Sequence, residues 1–447
     1  MKGFRLVTYD QTQNDITRII RPSDINLMPD YHIEVFAVGL NVPVGMVFTD
    51  DGGLYVAESG VDSKQPRVLL ISNGNISVAA EYFSPPLTGI NQIAGNVYVS
   101  HKGFITVIRP NGSRQDIISG LPSNGDFGTS NVTFGPDGKI YFGQGAATNS
   151  GVVGEDNHWV FTHPLMCDVM AMDLILVGQN YQTDNIFVPR RENAYTGAFA
   201  PFGVTNVPNE KRKGIAKSFS SILRANRDGT DLEVYAWGFR NPISMKFDRQ
   251  FRLFAANRGY DVRGSRPIAN APDELQIVNP GVWYGWPDFC VGEPVTLPKY
   301  SPEGGPRPEF LLVNHPNIPP KPYAQFAPHT SVAGFDFNYD VNFSAYGDIF
   351  IAEYGSLGPI TVGVSQPYEG IGHSVTKVNT NREVSTFASN KSGYLANING
   401  EGGFGRLVDI AFGPEGDLYI LDMGINYADN IDKFVPDTGM IWKIVRN

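Results

Sequence analysis

Asn131-Val132-Thr133-Phe134-Gly135-Pro136-Asp137-Gly138-Lys139-Ile140-Tyr141-Phe142 reads as two short strands folded about a tight turn. β-Branched and aromatic residues suit a pleated, half-buried surface, while the Gly-Pro-Asp-Gly between them supplies a preset φ and a residue that accepts a left-handed backbone. The same unit recurs five times: Val44 to Phe48 with Leu54 to Glu58, Gln92-Ile93 with Val97 to Ser100, Ser244 to Phe247 with Leu253 to Ala256, Gly334 to Phe337 with Ile349 to Glu353, and Asp409 to Phe412 with Leu418 to Ile420. Gly52, Gly95 and Gly138 stand 43 residues apart, a propeller-blade period, and inserted loops spread the later copies. Each copy supplies the two inner strands of an antiparallel blade. Six copies predict an all-β chain: a six-bladed β-propeller with long loop insertions on one face.

The 49 glycines and 32 prolines are spread along the chain rather than gathered into a linker, so residues 1–447 read as one propeller domain. Insertions are expected at about 146–200 and 266–328. The second span carries 14 of the prolines, which predicts an extended loop system covering one face rather than strands. The best helix candidate, Asn209 to Ser221, is rich in Lys and Ser. The ring is expected to close by pairing Gly439 to Val445 with a strand near His32 to Ala37, which removes two free edges. No run approaches the ~20 apolar residues of a membrane span. A formal charge of −10 argues against nucleic acid or an anionic membrane as partner. The first residues lack the apolar core of an export signal, so the protein is expected to be cytoplasmic, or periplasmic or extracellular if such a signal has been removed. Cys167 and Cys290 lack metal-ligand spacing and read as two free buried thiols.

A second group of motifs bears on chemistry. Tyr235-Ala236-Trp237-Gly238-Phe239-Arg240-Asn241-Pro242-Ile243-Ser244 places an arginine and an asparagine on a proline-locked turn at a strand entrance. Asp273-Glu274-Leu275 and Tyr284-Gly285-Trp286-Pro287 follow, and Gly405-Arg406-Leu407-Val408-Asp409 opens the last repeat. Together, over nearly the whole chain, these resemble the glucose/sorbosone dehydrogenase family, most nearly its sorbosone type. The resemblance implies a soluble quinoprotein that uses pyrroloquinoline quinone (PQQ) and Ca²⁺ to oxidise a small sugar or aldehyde and passes the electrons to an external acceptor.

The same resemblance implies roles for individual residues. Arg240, Asn241, Arg406 and His329 are expected to bind the cofactor, guanidinium forks suiting its carboxylates. A surface salt bridge is the alternative for Arg240, and a pair with Asp409 for Arg406. Backbone carbonyls of Gly259 and Tyr260 are expected to hold calcium, although Arg258 and Tyr260 flank the glycine where glucose dehydrogenases have glutamine and proline. Asp273 and Glu274 are expected in its outer shell or at a second, structural calcium, with ordinary surface carboxylates as the alternative. The catalytic histidine of the family falls on Phe127, which cannot accept a proton; His329 and Asp126 are the candidate substitutes. An alternative follows: a catalytically degenerate propeller that binds a carbohydrate or small anion. A calcium-dependent lactonase would want acidic and asparagine side chains converging from separate blades, and no such set stands out. His158 and His163 read as loop residues, and Trp159, Tyr181, Trp283 and Tyr284 as loop anchors or sugar-stacking rings.

Overall fold

A computed structural model describes residues 16–188, 192–355, 371–428 and 430–447. Six antiparallel sheets built on the six sequence repeats form the ring. Their innermost strands are Pro43–Phe48, Leu87–Ile93, Thr133–Phe134, Pro242–Phe247, Val332–Phe337 and Leu407–Phe412, here numbered blades 1 to 6. The second strands are Leu54–Glu58, Asn96–His101, Ile140–Gln144, Leu253–Asn257, Ile349–Glu353 and Leu418–Asp422. Blade 6 closes the ring as expected: Tyr31–Leu40 pairs with Gly439–Arg446, setting Ile33 opposite Ile444 and Val35 opposite Trp442. A strand not anticipated, Ile25–Leu27, adds a fifth member to blade 5.

The blades are joined by a repeated aromatic contact. The ring that ends an innermost strand meets, edge to face, a ring on the second strand of the preceding blade: Phe48 on Tyr419, Phe134 on Tyr98, Phe247 on Tyr141, Phe337 on Phe254 and Phe412 on Phe350. Their centroids lie 4.9 to 5.6 Å apart. Such pairs add about 0.5–1.5 kcal/mol each beyond the area they bury. The innermost strand of blade 2 ends instead in an aliphatic residue, Ile93.

Near the axis the innermost strands converge and carry small or short residues. A Cβ on Gly334 would lie 2.2 Å from Asp409 Oδ1, so no larger residue fits there. Asp409 in turn accepts the backbone N–H of Met46, tying blade 6 to blade 1 (3.0 Å). An axial cavity of about 330 Å³ remains, lined by Asn131, Ser244, Gly334 and Asp409 along the strands, and by Arg258 and Tyr354.

Two expectations are corrected. The proline-dense span contains the outer strands of blade 4, Pro272–Val278 and Ala324–Pro328, and only residues 279–323 between them form the loop. Pro272 opens its strand and Pro328 ends an edge strand, positions where a missing N–H is tolerated. Asn209 to Ser221 forms no helix. Lys211–Arg212 pairs instead with Leu174–Ile175, and the only helices among the described residues are 3₁₀ turns of three or four residues. No helix among the described residues is long and apolar enough to cross a membrane.

Phe350 is fully buried and meets Phe387 and Phe412. Phe350→Ala should therefore cost about 3–5 kcal/mol in denaturant unfolding, whereas Ile318→Ala, at an exposed position, should stay within about 0.5 kcal/mol. A Phe350→Ala cost below about 1 kcal/mol would contradict this view of the blade joints.

Candidate functional site

Each second strand ends in a buried polar residue: Glu58, His101, Gln144, Asn257, Glu353 or Asp422. In three blades it accepts the backbone N–H of the segment entering the innermost strand: Asn41 to Glu58 (2.7 Å), Asn241 to Asn257 (3.0 Å) and Gly405 to Asp422 (2.7 Å). In blade 3, Gln144 accepts the Thr129 hydroxyl (3.0 Å). The chain is thereby held where it crosses this face, and Arg240, Asn241 and Arg406 stand beside these pins.

Arg240 is buried and its guanidinium is spread over three acceptors. Nε donates to the Asn149 carbonyl (3.2 Å), one terminal nitrogen to the Gly259 carbonyl (2.5 Å) and the other to Asp261 Oδ2 (2.5 Å). The Phe127 ring lies 4.6 Å beneath it. Asp261 is the hub of the cluster: Arg263 reaches the same oxygen at 3.4 Å, and His329 Nδ1 stands 3.5 Å from the other. Burial alone would raise the Asp261 carboxyl, but Arg240, His329 and Arg263 outweigh it and hold it well below the usual carboxylate range. His329 sits at φ +69°, a left-handed backbone that a non-glycine residue adopts only when its surroundings enforce it.

Asn241 leads to the other half of the site. Its carbonyl accepts the Arg258 N–H (3.2 Å), and Arg258 Nε donates to the Val332 carbonyl (2.9 Å). The terminal nitrogens of Arg258 make no hydrogen bond or ion pair among the described residues, and burial lowers the pKa of the group. Its guanidinium lies 5.3 Å from the Tyr354 ring centroid, with that of Arg406 at 5.1 Å from the same ring. Arg406 also donates to Asn426 Oδ1 (2.9 Å) and the Tyr354 carbonyl (3.2 Å). Close by, His373 Nδ1 donates to the Gly405 carbonyl (3.2 Å); burial, then Arg406, push its pKa down to about 3, so it is neutral.

These contacts connect Arg240, Asn241, His329, Arg406 and Phe127, which sequence reasoning singled out, with Asp261, Tyr354 and His373, which it missed, and with Arg258, noted there only as a flank of the calcium turn. Asp261-Val262-Arg263 leads to a second charged layer, in which Arg263 bridges Asp126 and Asp156; nothing in the sequence tied Asp261 to His329. Asp126 sits in that layer, its carboxylate taken by Arg263 (2.7 Å), Asn157 (3.0 Å) and the Trp159 indole (2.8 Å). Asp273 accepts the N–H groups of Gly259 (2.6 Å) and Val332 (2.9 Å), tying two loops together. Tyr260 is buried and donates to the Phe289 carbonyl (2.9 Å). The Tyr-Gly-Trp-Pro tag braces the arginine turn: Tyr284 stacks on Phe239 (4.4 Å) and the Trp286 indole donates to the Asn149 carbonyl (3.1 Å). Trp283, Tyr284 and Tyr181 are buried loop anchors, and both cysteines are free, Cys290 buried and Cys167 partly so.

The donor set fits a planar organic anion, because Arg258 and Arg406 share one aromatic ring and Arg258 also lines the axial cavity. It does not fit a calcium ion at Gly259. That carbonyl already receives a guanidinium, and no group of three or more His, Cys, Asp or Glu side chains among the described residues is placed to hold a metal. Two unit charges about 4 Å apart repel by roughly 4 kcal/mol at an effective dielectric near 20, and a divalent ion doubles this.

Residues 221–358 match the family described as Glucose / Sorbosone dehydrogenase. The fold is a glucose/sorbosone dehydrogenase-like six-bladed propeller. Quinoprotein glucose dehydrogenase B of Acinetobacter calcoaceticus is 23% identical over 201 residues, an alignment spanning 45% of this chain and 33% of that one. The propeller also superposes on the PQQ-bound aldose sugar dehydrogenase of Streptomyces coelicolor, with a TM-score of 0.53, 18% identity, and coverage of 94% of this chain and 99% of that one. A calcium structure of a Trichoderma reesei protein of Carbohydrate-Active Enzymes Family AA12 gives a TM-score of 0.58 at 16% identity, covering 97% of this chain and all of that one.

The site also sets a pH dependence. Burial raises Glu274 to about 7 against the amides of Asn257 (3.0 Å) and Gln276 (2.6 Å), and Glu353 and Asp168 to about 7 as well. A carboxyl raised above its unfolded value of about 4 contributes stability that is full below that value and lost as pH rises through the folded one. Melting temperature should therefore fall between about pH 5 and about pH 8, and Glu274→Gln should flatten part of the fall. A melting temperature that rises over this window would contradict the burial of these carboxyls.

Proposed function

We propose that this propeller is a PQQ-dependent sugar or aldehyde dehydrogenase of the sorbosone type, acting with an external electron acceptor. The observation that carries the proposal is the pair of guanidiniums, Arg258 and Arg406, set over Tyr354 beside the axial cavity. PQQ is a planar polycarboxylate, and this pair would hold its charge while the ring packs beside it. When bound, it supplies the hydride acceptor for the oxidised carbon.

The chain's own part is proton transfer and placement. With Nδ1 facing Asp261, His329 would take the hydroxyl proton at Nε2, and the carboxylate orients the ring and stabilises the imidazolium that forms. Arg240 supports this pair by fixing Asp261, and Asn241 by holding the Arg258 turn. The Asp126 oxygens are already committed to Arg263, Asn157 and Trp159, so His329 is the better supported base.

A second reading, a propeller that binds its ligand without oxidising it, is favoured by Phe127. Its ring fills the space under Arg240 where the family resemblance puts a base. The two readings separate by dye reduction with a panel of aldoses after PQQ is added. We expect slow wild-type turnover, a gain in Phe127→His, whose imidazole would stay neutral beside Arg240, and a loss of about 10²–10⁴-fold in His329→Ala. Rapid turnover indifferent to His329→Ala would overturn His329 as base; PQQ binding with no turnover in any variant would favour the second reading.

A further inference from the structure

We infer that Arg240 is the resident cation of this site, standing at the Gly259 carbonyl in place of a calcium ion, so that anion binding on this face is independent of divalent metal. The inference rests on the reading of the site as a PQQ site and concerns how the positive charge there is supplied.

Three observations converge on it. The Gly259 carbonyl, the atom best placed by sequence to ligate calcium, accepts an Arg240 terminal nitrogen at 2.5 Å. The other oxygens around that guanidinium, the Asn149 carbonyl (3.2 Å) and Asp261 Oδ2 (2.5 Å), are what an oxygen-seeking cation would use, and the same side chain takes both. Calcium needs six to eight oxygen ligands, whereas the other side chains facing this point bring further positive charge: Arg263 at 3.4 Å from the Asp261 carboxylate, with Arg258 next to Gly259 in the chain.

The arrangement is also fixed in place. A Cβ on Gly259 would lie 2.4 Å from the Pro272 carbonyl and 2.7 Å from that of Ala271, so the glycine backbone is pressed against the next strand. Asp273 holds the Gly259 N–H at 2.6 Å. The Asn149 side chain ties down both ends of the following turn, donating to the carbonyls of Asp261 (2.8 Å) and Arg263 (3.1 Å) and accepting the Asp261 N–H (3.0 Å). The carbonyl is thus aimed at the guanidinium by contacts that owe nothing to a metal.

The test uses full-length protein stripped with EDTA and desalted. Calcium chloride titrated into it should give no binding heat, and PQQ titrated in EDTA or in millimolar Ca²⁺ should give dissociation constants within about twofold of each other. A calcium isotherm in wild type, or a loss of PQQ affinity of about tenfold or more in EDTA, would overturn the inference. If neither calcium nor PQQ binds, the calcium arm still supports Arg240 as the resident cation, and it is the PQQ reading that fails. Removing a buried ion-pair partner can unfold a protein, so the wild-type titrations stand without any variant.

Discussion

A buried polar side chain at the end of a second strand, bonded to the backbone of the segment entering the innermost strand, is the contact on which this face depends. The crossing segments are irregular, and a buried N–H left without a partner costs about 1–3 kcal/mol. Glu58, Asn257 and Asp422 meet that need in blades 1, 4 and 6. By satisfying the backbone they also fix where the next side chain points. Arg240-Asn241 and Arg406 are therefore presented by a rigid frame, and the aromatic joints between blades keep that frame closed.

The electrostatics follow from this frame. A chain with formal charge −10 gathers Arg240, Arg258, Arg263 and Arg406 on one face. Their roles differ by partner. Arg263 lies between Asp126 (2.7 Å) and Asp156 (2.5 Å) and is structural. Arg240 is spent on two carbonyls and Asp261. Arg258 lines the axial cavity with no carboxylate partner at hydrogen-bond distance among the described residues, which on the proposed reading is what would receive an anion. Asp261 links the halves by serving Arg240 and His329 at once.

How much of this was legible depended on whether the signal was local. The paired strands about a short turn are a local signal and located all six pairs of inner strands, while the need to close the ring located the strand at Gly439–Arg446. Pro272 and Pro328 misled because proline density reads as loop, although proline is tolerated where a strand begins or at an edge. In the site, Arg240, Asn241, His329 and Arg406 were found through motif resemblance, and contacts join them. Asp261 was missed because its partner His329 lies 68 positions away, and no local pattern announces a pairing made only by the turn of a blade. Arg258 was noticed as an awkward neighbour for calcium; its place over Tyr354 depends on the meeting of blades 4 and 5.

The central claim is that the Arg258 guanidinium, over Tyr354 and beside Arg406, receives a planar anion. Titrating PQQ into wild type and Arg258→Ala, followed by the quinone absorbance, tests it most directly. Because hydrogen bonds to charged groups contribute about 1.5–3 kcal/mol, the account predicts about a 10- to 100-fold weaker dissociation constant in the variant at an unchanged melting temperature. Equal affinity in the two proteins would contradict it.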